Sequence, residues 1–246
     1  MGKLDGKVAA ITASTRSIGR AIAEAYLAEG AKVVISGRSE EKGAAAIEEM
    51  NAGENATFIA CDASKQSDVE SLIDETVNHF GKIDIAVLNA GGILDAAPVA
   101  EMSDESWEYT LNLNLNHTFW GMRKALQHMI PQEDGRIIYI SSIIAKTGFN
   151  GMSVYAATKA ALEGFSRSLS RELGKKNITV NCISPGYMKT EMTQNINQKH
   201  FDKIQKRAPL GLPEVSDIAN MTNYLLSRNG KKITGAVFTI DGGSTA

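Results

Sequence analysis

The chain has 246 residues, with 26 basic against 28 acidic and a net charge of −2, and no long run of one sign. That balance excludes a nucleic-acid footprint or a membrane-surface patch, and the length is enough to bury a substantial core. No apolar stretch can span a bilayer, and the start, Met-Gly-Lys-Leu-Asp-Gly, carries neither a signal-peptide core nor a myristoylation serine. Cys61 and Cys182 lack paired metal spacing and read as buried thiols, so no metal is expected. A soluble cytoplasmic protein is the expectation.

Short apolar runs alternate with amphipathic stretches along the whole chain. Residues 8–12 read as a strand, followed by a helix over about 18–29 that Gly30 stops. Residues 32–36 form a second strand, and Ser39 with two glutamates behind it starts a helix. Further strands are expected at 56–61, 83–88, 136–140, 178–183 and 236–240, with helices near 65–80, 104–129, 153–174 and 214–227. Continuous apolar strands separated by helices predict an α/β fold, a doubly wound parallel sheet covered on both faces. No linker or internal repeat divides it, so one domain over 1–246 is expected. The least regular stretch, 186–213, holds Tyr187, Met188, Met192, Phe201 and Leu210. It reads either as a lid over a binding site or as a short surface helix with ordinary packing.

The chemistry concentrates on Tyr155 and Lys159. Four residues apart on a helix, they share one face, so a phenol stands beside an ammonium. The strand before them ends in hydroxyls at Ser141 and Ser142. Between the first strand and first helix, Thr12-Ala-Ser-Thr-Arg-Ser-Ile-Gly19 occupies the place where a doubly wound fold holds a pyrophosphate. By itself this stretch is an ordinary strand–turn–helix junction, because only Gly19 of the usual glycine fingerprint remains.

In order, these motifs resemble the short-chain dehydrogenase/reductase family over essentially the whole chain. The family's Thr-Gly-x-x-x-Gly-x-Gly loop is matched from Thr12 to Gly19, with Ala13 and Ser17 replacing two glycines. Leu88-Asn89-Ala90-Gly91 is similar to its Asn-Asn-Ala-Gly. Trp107 and Leu113-Asn114-Leu115 match the helix of its catalytic asparagine, and Ser142, Tyr155 and Lys159 match its remaining catalytic residues. Asn181 through Pro185-Gly186 to Thr190 resembles the loop that grips the nicotinamide end, and Ile233-Thr-Gly-Ala to Asp241-Gly-Gly resembles its last strand. Asn112 and Asn116 flank Asn114 at alternate positions, so a slip of register would change that assignment. The Arg-Ser-Ile sequence is also similar to enoyl reductases of the superfamily, which space Tyr and Lys more widely. Tyr139 and Lys146 have that spacing, but Tyr139 is mid-strand.

The resemblance implies reversible reduction of a ketone. Hydride arriving at carbon places negative charge on oxygen, so Tyr155 is expected to donate a proton there. Lys159, together with the positive charge of an oxidised nicotinamide, is expected to favour the tyrosinate, and Lys159 also to bond the nicotinamide ribose, Ser142 to polarise the carbonyl, and Asn114 to hold water in a relay reaching Lys159. Cofactor contacts are implied for Thr12, Ser14, Arg16, Ser17, Ile18, Gly19, Asp62, Asn89, Ala90, Gly91, Tyr155, Lys159, Pro185, Gly186, Met188 and Thr190. Asp62 resembles the adenine contact and Asn89 the brace behind the cofactor. The second strand ends Ser36-Gly37-Arg38, with no carboxylate to repel a 2′-phosphate. Arg38 and Arg16 suit phosphate, so NADPH is expected, with NAD as the alternative. Ala13 fits if its backbone does not need positive φ, whereas Ser17 either crowds the pyrophosphate or donates to it.

A 3-oxoacyl thioester reductase is the expected activity, with a small ketone, sugar or steroid reductase, or a cofactor-binding scaffold without turnover, as alternatives. Acyl carrier protein or CoA thioesters are the implied substrate carriers. Arg167, Arg171 and Lys175 form a basic helical stripe, open to carrier docking or to plain solvation. A homodimer or homotetramer is implied by relatives.

Overall fold

The computed structural model describes residues 2–189 and 198–246, with backbone alone for 198–200. Seven strands form one parallel sheet: β1 (Val8–Ile11), β2 (Lys32–Gly37), β3 (Ala56–Ala60), β4 (Ile85–Leu88), β5 (Gly135–Ile140), β6 (Ile178–Pro185) and β7 (Val237–Ile240). Their order is β3-β2-β1-β4-β5-β6-β7. β1, β4 and β6 are buried along their whole length, while the edge strands β3 and β7 are partly open. This is the pattern of a sheet covered on both faces, and it explains the continuous apolar runs.

Nine α-helices connect the strands among the described residues: α1 (Ser17–Ala28), α2 (Glu40–Met50), α3 (Gln66–Phe80), α4 (Asp104–Leu111), α5 (His117–Gln132), α6 (Ile144–Thr147), α7 (Ser153–Leu173), α8 (Gln198–Arg207) and α9 (Val215–Leu226). α1 and α9 place Ile22, Tyr26, Ile218 and Leu225 on one side of the sheet. On the other, α3, α5 and α7 contribute Ile73, Met122, Met129, Leu162 and Leu169. Ser39 caps α2 as its position predicted, accepting from the Lys42 amide at 3.2 Å. No described helix is long and apolar enough to cross a membrane.

Two departures from the expected elements concern function. The helix expected over 104–129 is two helices joined by a π-turn, Asn112–Asn116, in which backbone bonds reach five residues back. Within the expected irregular stretch 186–213 lies α8, so part of it is helical. Thr190 and Met192 lie outside the described residues.

Strand order reverses between β1 and β4, which pair in register from Ala9 with Ile85 to Ile11 with Val87. The loops leaving their carboxyl ends therefore diverge to opposite faces and leave a crevice, the place where open α/β sheets receive ligands.

Candidate active site

The loop from Thr12 to Gly19 is anchored from behind. Thr12 Oγ1 is buried and accepts from the amides of Asn89 and Ala90 at 2.8 and 3.0 Å. Asn89 Nδ2 donates to the carbonyls of Thr12 and Ala13 at 2.9 and 3.0 Å. Ser14 is turned inward, with its Oγ donating to Ile11 O at 2.7 Å and accepting from Ser36 N at 2.9 Å. Thr12 and Ser14 thus face the sheet, and Asn89 bridges the two crevice loops. A Cβ on Gly19 would lie 2.6 Å from Ala13 O and 2.7 Å from Asn89 Nδ2, so only glycine admits this approach.

The two missing glycines carry strain. Ala13 has φ +50° and Ser17 φ +52°, both in the left-handed region. The condition on which Ala13 was expected to fit, a backbone without positive φ, is therefore not met. Each non-glycine residue there costs ~1–2 kcal/mol. Both side chains are exposed, so they clear the protein but border the crevice. Ser17 opens α1, where Arg16, extended at φ −155°, makes no side-chain cap. The first amides of α1, including those of Ile18 and Gly19, are thereby available to an anion. A pyrophosphate fits this cradle.

Across the crevice, Lys159 and Asn114 converge on Gly91. A Cβ there would stand 2.7 Å from Lys159 Nζ and 2.9 Å from Asn114 Oδ1. Asn114 is fully buried in the π-turn, and its Nδ2 donates to Gly92 O at 2.6 Å and Thr110 O at 2.7 Å. Its Oδ1 accepts from Gly92 N at 3.1 Å. Asn116 instead bonds Asn112 at 2.7 Å, away from this cluster.

Lys159 is 2% exposed, and its Nζ donates to Ile140 O at 2.8 Å. Burial pushes its pKa down to about 8. Nζ also lies 5.6 Å from the centroid of the Tyr155 ring, one helical turn back on α7. Burial raises the Tyr155 phenol above its ordinary value, and a hydrogen bond with Ser142 partly offsets this. In the free protein the phenol keeps its proton, because desolvation outweighs the Ser142 bond. Ser142 Oγ also accepts from Ile144 N at 3.2 Å, which fixes the hydroxyl at the start of α6.

Pro185 and Gly186 close the third side. Pro185 O accepts from Ile143 N at 3.0 Å, and Gly186 N donates to Ile240 O at 2.7 Å. A Cβ on Gly186 would meet Asp241 at 2.6 Å. Met188 is buried in the same core cluster as Ile22, Ile183 and Ile218. At the far end of the crevice, Arg16 and Arg38 are exposed. Burial opposes charge on Asp62, but bonds from Ser64 Oγ at 2.8 Å and N at 3.1 Å, with Lys65 and Arg38 nearby, hold its carboxyl below the usual range.

Motif reading gave Ser141 and Asn181 no role of their own and did not single out His117. Ser141 Oγ donates to Lys159 O at 3.0 Å and so ties α7 to the end of β5. Asn181 braces β6, donating to Ile233 O at 2.8 Å and accepting from Ala236 N at 3.2 Å. His117 lies buried beside Lys159, and its only sequence signal is a histidine on the apolar side of a helix. Tyr139, the alternative phenol, is buried mid-strand with its hydroxyl donating to Met122 Sδ at 2.7 Å, and it cannot reach the crevice.

The chain resembles known proteins along its full length. The family model described as Enoyl-(Acyl carrier protein) reductase matches residues 12–245. The 3-oxoacyl-(acyl-carrier-protein) reductase of Aquifex aeolicus is 38% identical over 244 residues, covering 98% of each chain. That of Escherichia coli is 37% identical over 240 residues, covering 97% of each. A short-chain dehydrogenase from Burkholderia cenocepacia, solved in complex with NADP, superposes with a TM-score of 0.91 at 33% identity. It spans 99% of this chain and 100% of its own. A blue fluorescent protein from a metagenomic library, solved in complex with NADPH, gives the same TM-score, identity and coverage. With the sheet order, the crevice and these relatives in agreement, the chain belongs to the short-chain dehydrogenase/reductase family.

Proposed function

We propose that this protein is an NADPH-dependent oxidoreductase that reduces a ketone to a secondary alcohol, reversibly, with a 3-oxoacyl thioester on acyl carrier protein as substrate. The observation that carries the reading is the meeting of Lys159 and Asn114 at Gly91, with Tyr155 one turn from Lys159 on α7 and Ser142 beside its phenol. Reductases of this name among the relatives, and NADP and NADPH in two of the solved structures, support the substrate and the cofactor.

When bound, the dihydronicotinamide supplies the hydride. The cradle at the start of α1 binds the pyrophosphate, and Arg38 with Arg16 takes a 2′-phosphate through its paired guanidinium geometry. Asp62 would hold the adenine end, and the Pro185–Gly186 loop would take the nicotinamide end. Gly91 leaves room for the ribose to reach Lys159 Nζ. Ser142 donates a hydrogen bond to the carbonyl oxygen and polarises it. Tyr155, protonated at neutral pH because burial holds its phenol, donates its proton to that oxygen as charge develops. Lys159 and Asn114, both at Gly91, form the inner end of the path that returns a proton to Tyr155.

The stretch 186–213 serves as the substrate loop of a single domain. Arg167, Arg171 and Lys175, all exposed along and just beyond α7, offer an acidic carrier a docking stripe. Trp107 on α4 and Phe119 on α5, 46% and 39% exposed, support association of copies into a homodimer or homotetramer. The deciding experiment follows NADPH oxidation with acetoacetyl thioesters, simple ketones, sugars and steroids, with Tyr155→Phe as control. Acetoacetyl thioesters should turn over far faster than the others. Equal or absent turnover sinks the thioester assignment, and tight NADPH binding without turnover across the panel, unaffected by Tyr155→Phe, favours a cofactor-binding scaffold.

A further inference from the structure

The residues that follow β7 touch both ends of the stretch 186–213. At the near end, Gly186 N donates to Ile240 O at 2.7 Å, and a Cβ on Gly186 would stand 2.6 Å from Cα and Cβ of Asp241. At the far end, Leu210 N donates to Gly242 O at 3.2 Å, although its side chain is exposed. Gly242 has φ +65°, and a Cβ there would run into Gly211 O. Ile240, Asp241 and Gly242 thus meet the chain both where it leaves β6 and where it returns after α8. Between those ends, the rings of Tyr187 and Phe201 stand edge to face at 6.0 Å and join α8 to the Gly186 side.

One buried carboxylate shapes these residues. Asp241 is 7% exposed, and its Oδ1 accepts from Gly243 N at 2.9 Å. Its Oδ2 accepts from Thr245 N at 2.9 Å, Thr245 Oγ1 at 2.7 Å and Ser244 Oγ at 3.0 Å. The backbone adds Ser244 N to Asp241 O at 3.2 Å and the longer Ala246 N to Gly243 O at 3.4 Å. Burial opposes charge on Asp241, but the bonds from Thr245, Gly243 and Ser244 outweigh it and hold the carboxyl below the usual range. Bonds to an ionised acceptor are stronger than neutral ones, so the side chain carries most of the turn. An amide cannot replace it. Turned either way, asparagine would set its NH2 against the backbone N–H of Gly243 or of Thr245, and a backbone N–H cannot become an acceptor.

We propose that Asp241 is a positioning residue whose carboxylate folds the residues after β7 into a clamp on both ends of 186–213, and so sets how that stretch meets the crevice. The role rests on the reading of 186–213 as the substrate loop.

The test compares Asp241→Ala, Asp241→Asn and Gly242→Ala by trypsin cleavage of the free protein and by kinetics with NADPH and acetoacetyl-CoA. Lys189, Lys203, Lys206 and Arg207 are exposed cleavage sites within the stretch. Asp241→Ala should be cut there about tenfold faster than the wild type, with cleavage elsewhere unchanged, because local opening is governed by the bonds that hold the ends. KM for acetoacetyl-CoA should rise about tenfold with kcat within about threefold, since a loop less often in place weakens binding rather than the chemical step. Asp241→Asn should fall between the two. Gly242→Ala leaves the carboxylate intact and should reproduce the faster cleavage and the higher KM from the far end. Cleavage within 186–213 as slow as in the wild type, or faster cleavage spread over the whole chain in Asp241→Ala, overturns the proposal. So does a fall in kcat with KM unchanged. If Asp241→Ala does not fold, Asp241→Asn decides by the same readouts. Faster cleavage confined to the stretch, with both kinetic constants unchanged or with no turnover by the wild type, would instead remove the reading of 186–213 as the substrate loop and leave the clamp itself in place.

Discussion

The two sides of the crevice are built to different tolerances. On the Gly91 side, Asn114 makes three hydrogen bonds, Lys159 is bonded and nearly inaccessible, and Ser141 ties the helix beneath them to β5. On the Thr12–Gly19 side, Ala13 and Ser17 stand exposed in a backbone conformation that suits glycine. Proton transfer needs atoms placed to a fraction of an ångström, which only a buried and mutually bonded cluster provides. Holding a pyrophosphate draws on several backbone amides at once, so the loop tolerates strain that the opposite wall does not.

The sharpest way to break this contrast is Tyr155→Phe, which removes the proton donor and leaves the ring. Turnover should fall by about 10²–10⁴-fold while NADPH binding, followed by fluorescence titration, is retained. Loss of binding instead would merge the two sides into one unit. Lys159→Met tests the buried cation. Its folded pKa of about 8 lies below the ordinary 10.5, so between those values the native state binds fewer protons than the unfolded chain. Wild-type stability from this group therefore rises with pH across that window, and the penalty of the buried charge is largest below it. The variant should gain up to about 3 kcal/mol in denaturant unfolding at pH 7, less whatever the unpaired Ile140 carbonyl costs, and the gain should vanish by about pH 10.5. Activity should be lost at every pH, whereas the wild-type kcat/KM should fall above about pH 8 as Lys159 deprotonates.

On the other side, Arg38→Ala should weaken NADPH by about tenfold or more, the worth of a charge-assisted bond, and leave NADH unchanged. Equal weakening of both would remove Arg38 from phosphate recognition. The smallest effects belong to Ala13→Gly and Ser17→Gly. Each should relieve ~1 kcal/mol of strain, after the entropy glycine adds to the unfolded chain, read as a higher midpoint in urea. If both variants are less stable than the wild type, the strained-loop account fails.

Much of this was legible in the residues. The continuous apolar strands identified the sheet, and Ser39 marked its helix start to the residue. The spacing of Tyr155 and Lys159 put them on one helix face, where the structure has them. Other features left no local trace. Asn112-Leu-Asn-Leu-Asn116 reads as part of one amphipathic helix, and only its three weak helix formers hint at the widened turn. Alanine and serine carry no mark of positive φ, so the strain at 13 and 17 appears only when the loop is closed onto Asn89.

The sequence by itself determined the sheet, the helix faces and the set of reactive groups, because periodicity and residue chemistry are local properties. The tertiary structure decided how those groups are charged and held. Burial pushes the pKa of Lys159 down and that of His117 further down, and Tyr155 keeps its proton. These follow from burial and from partners distant in the chain, and desolvation depends on the whole fold rather than on any neighbour in sequence.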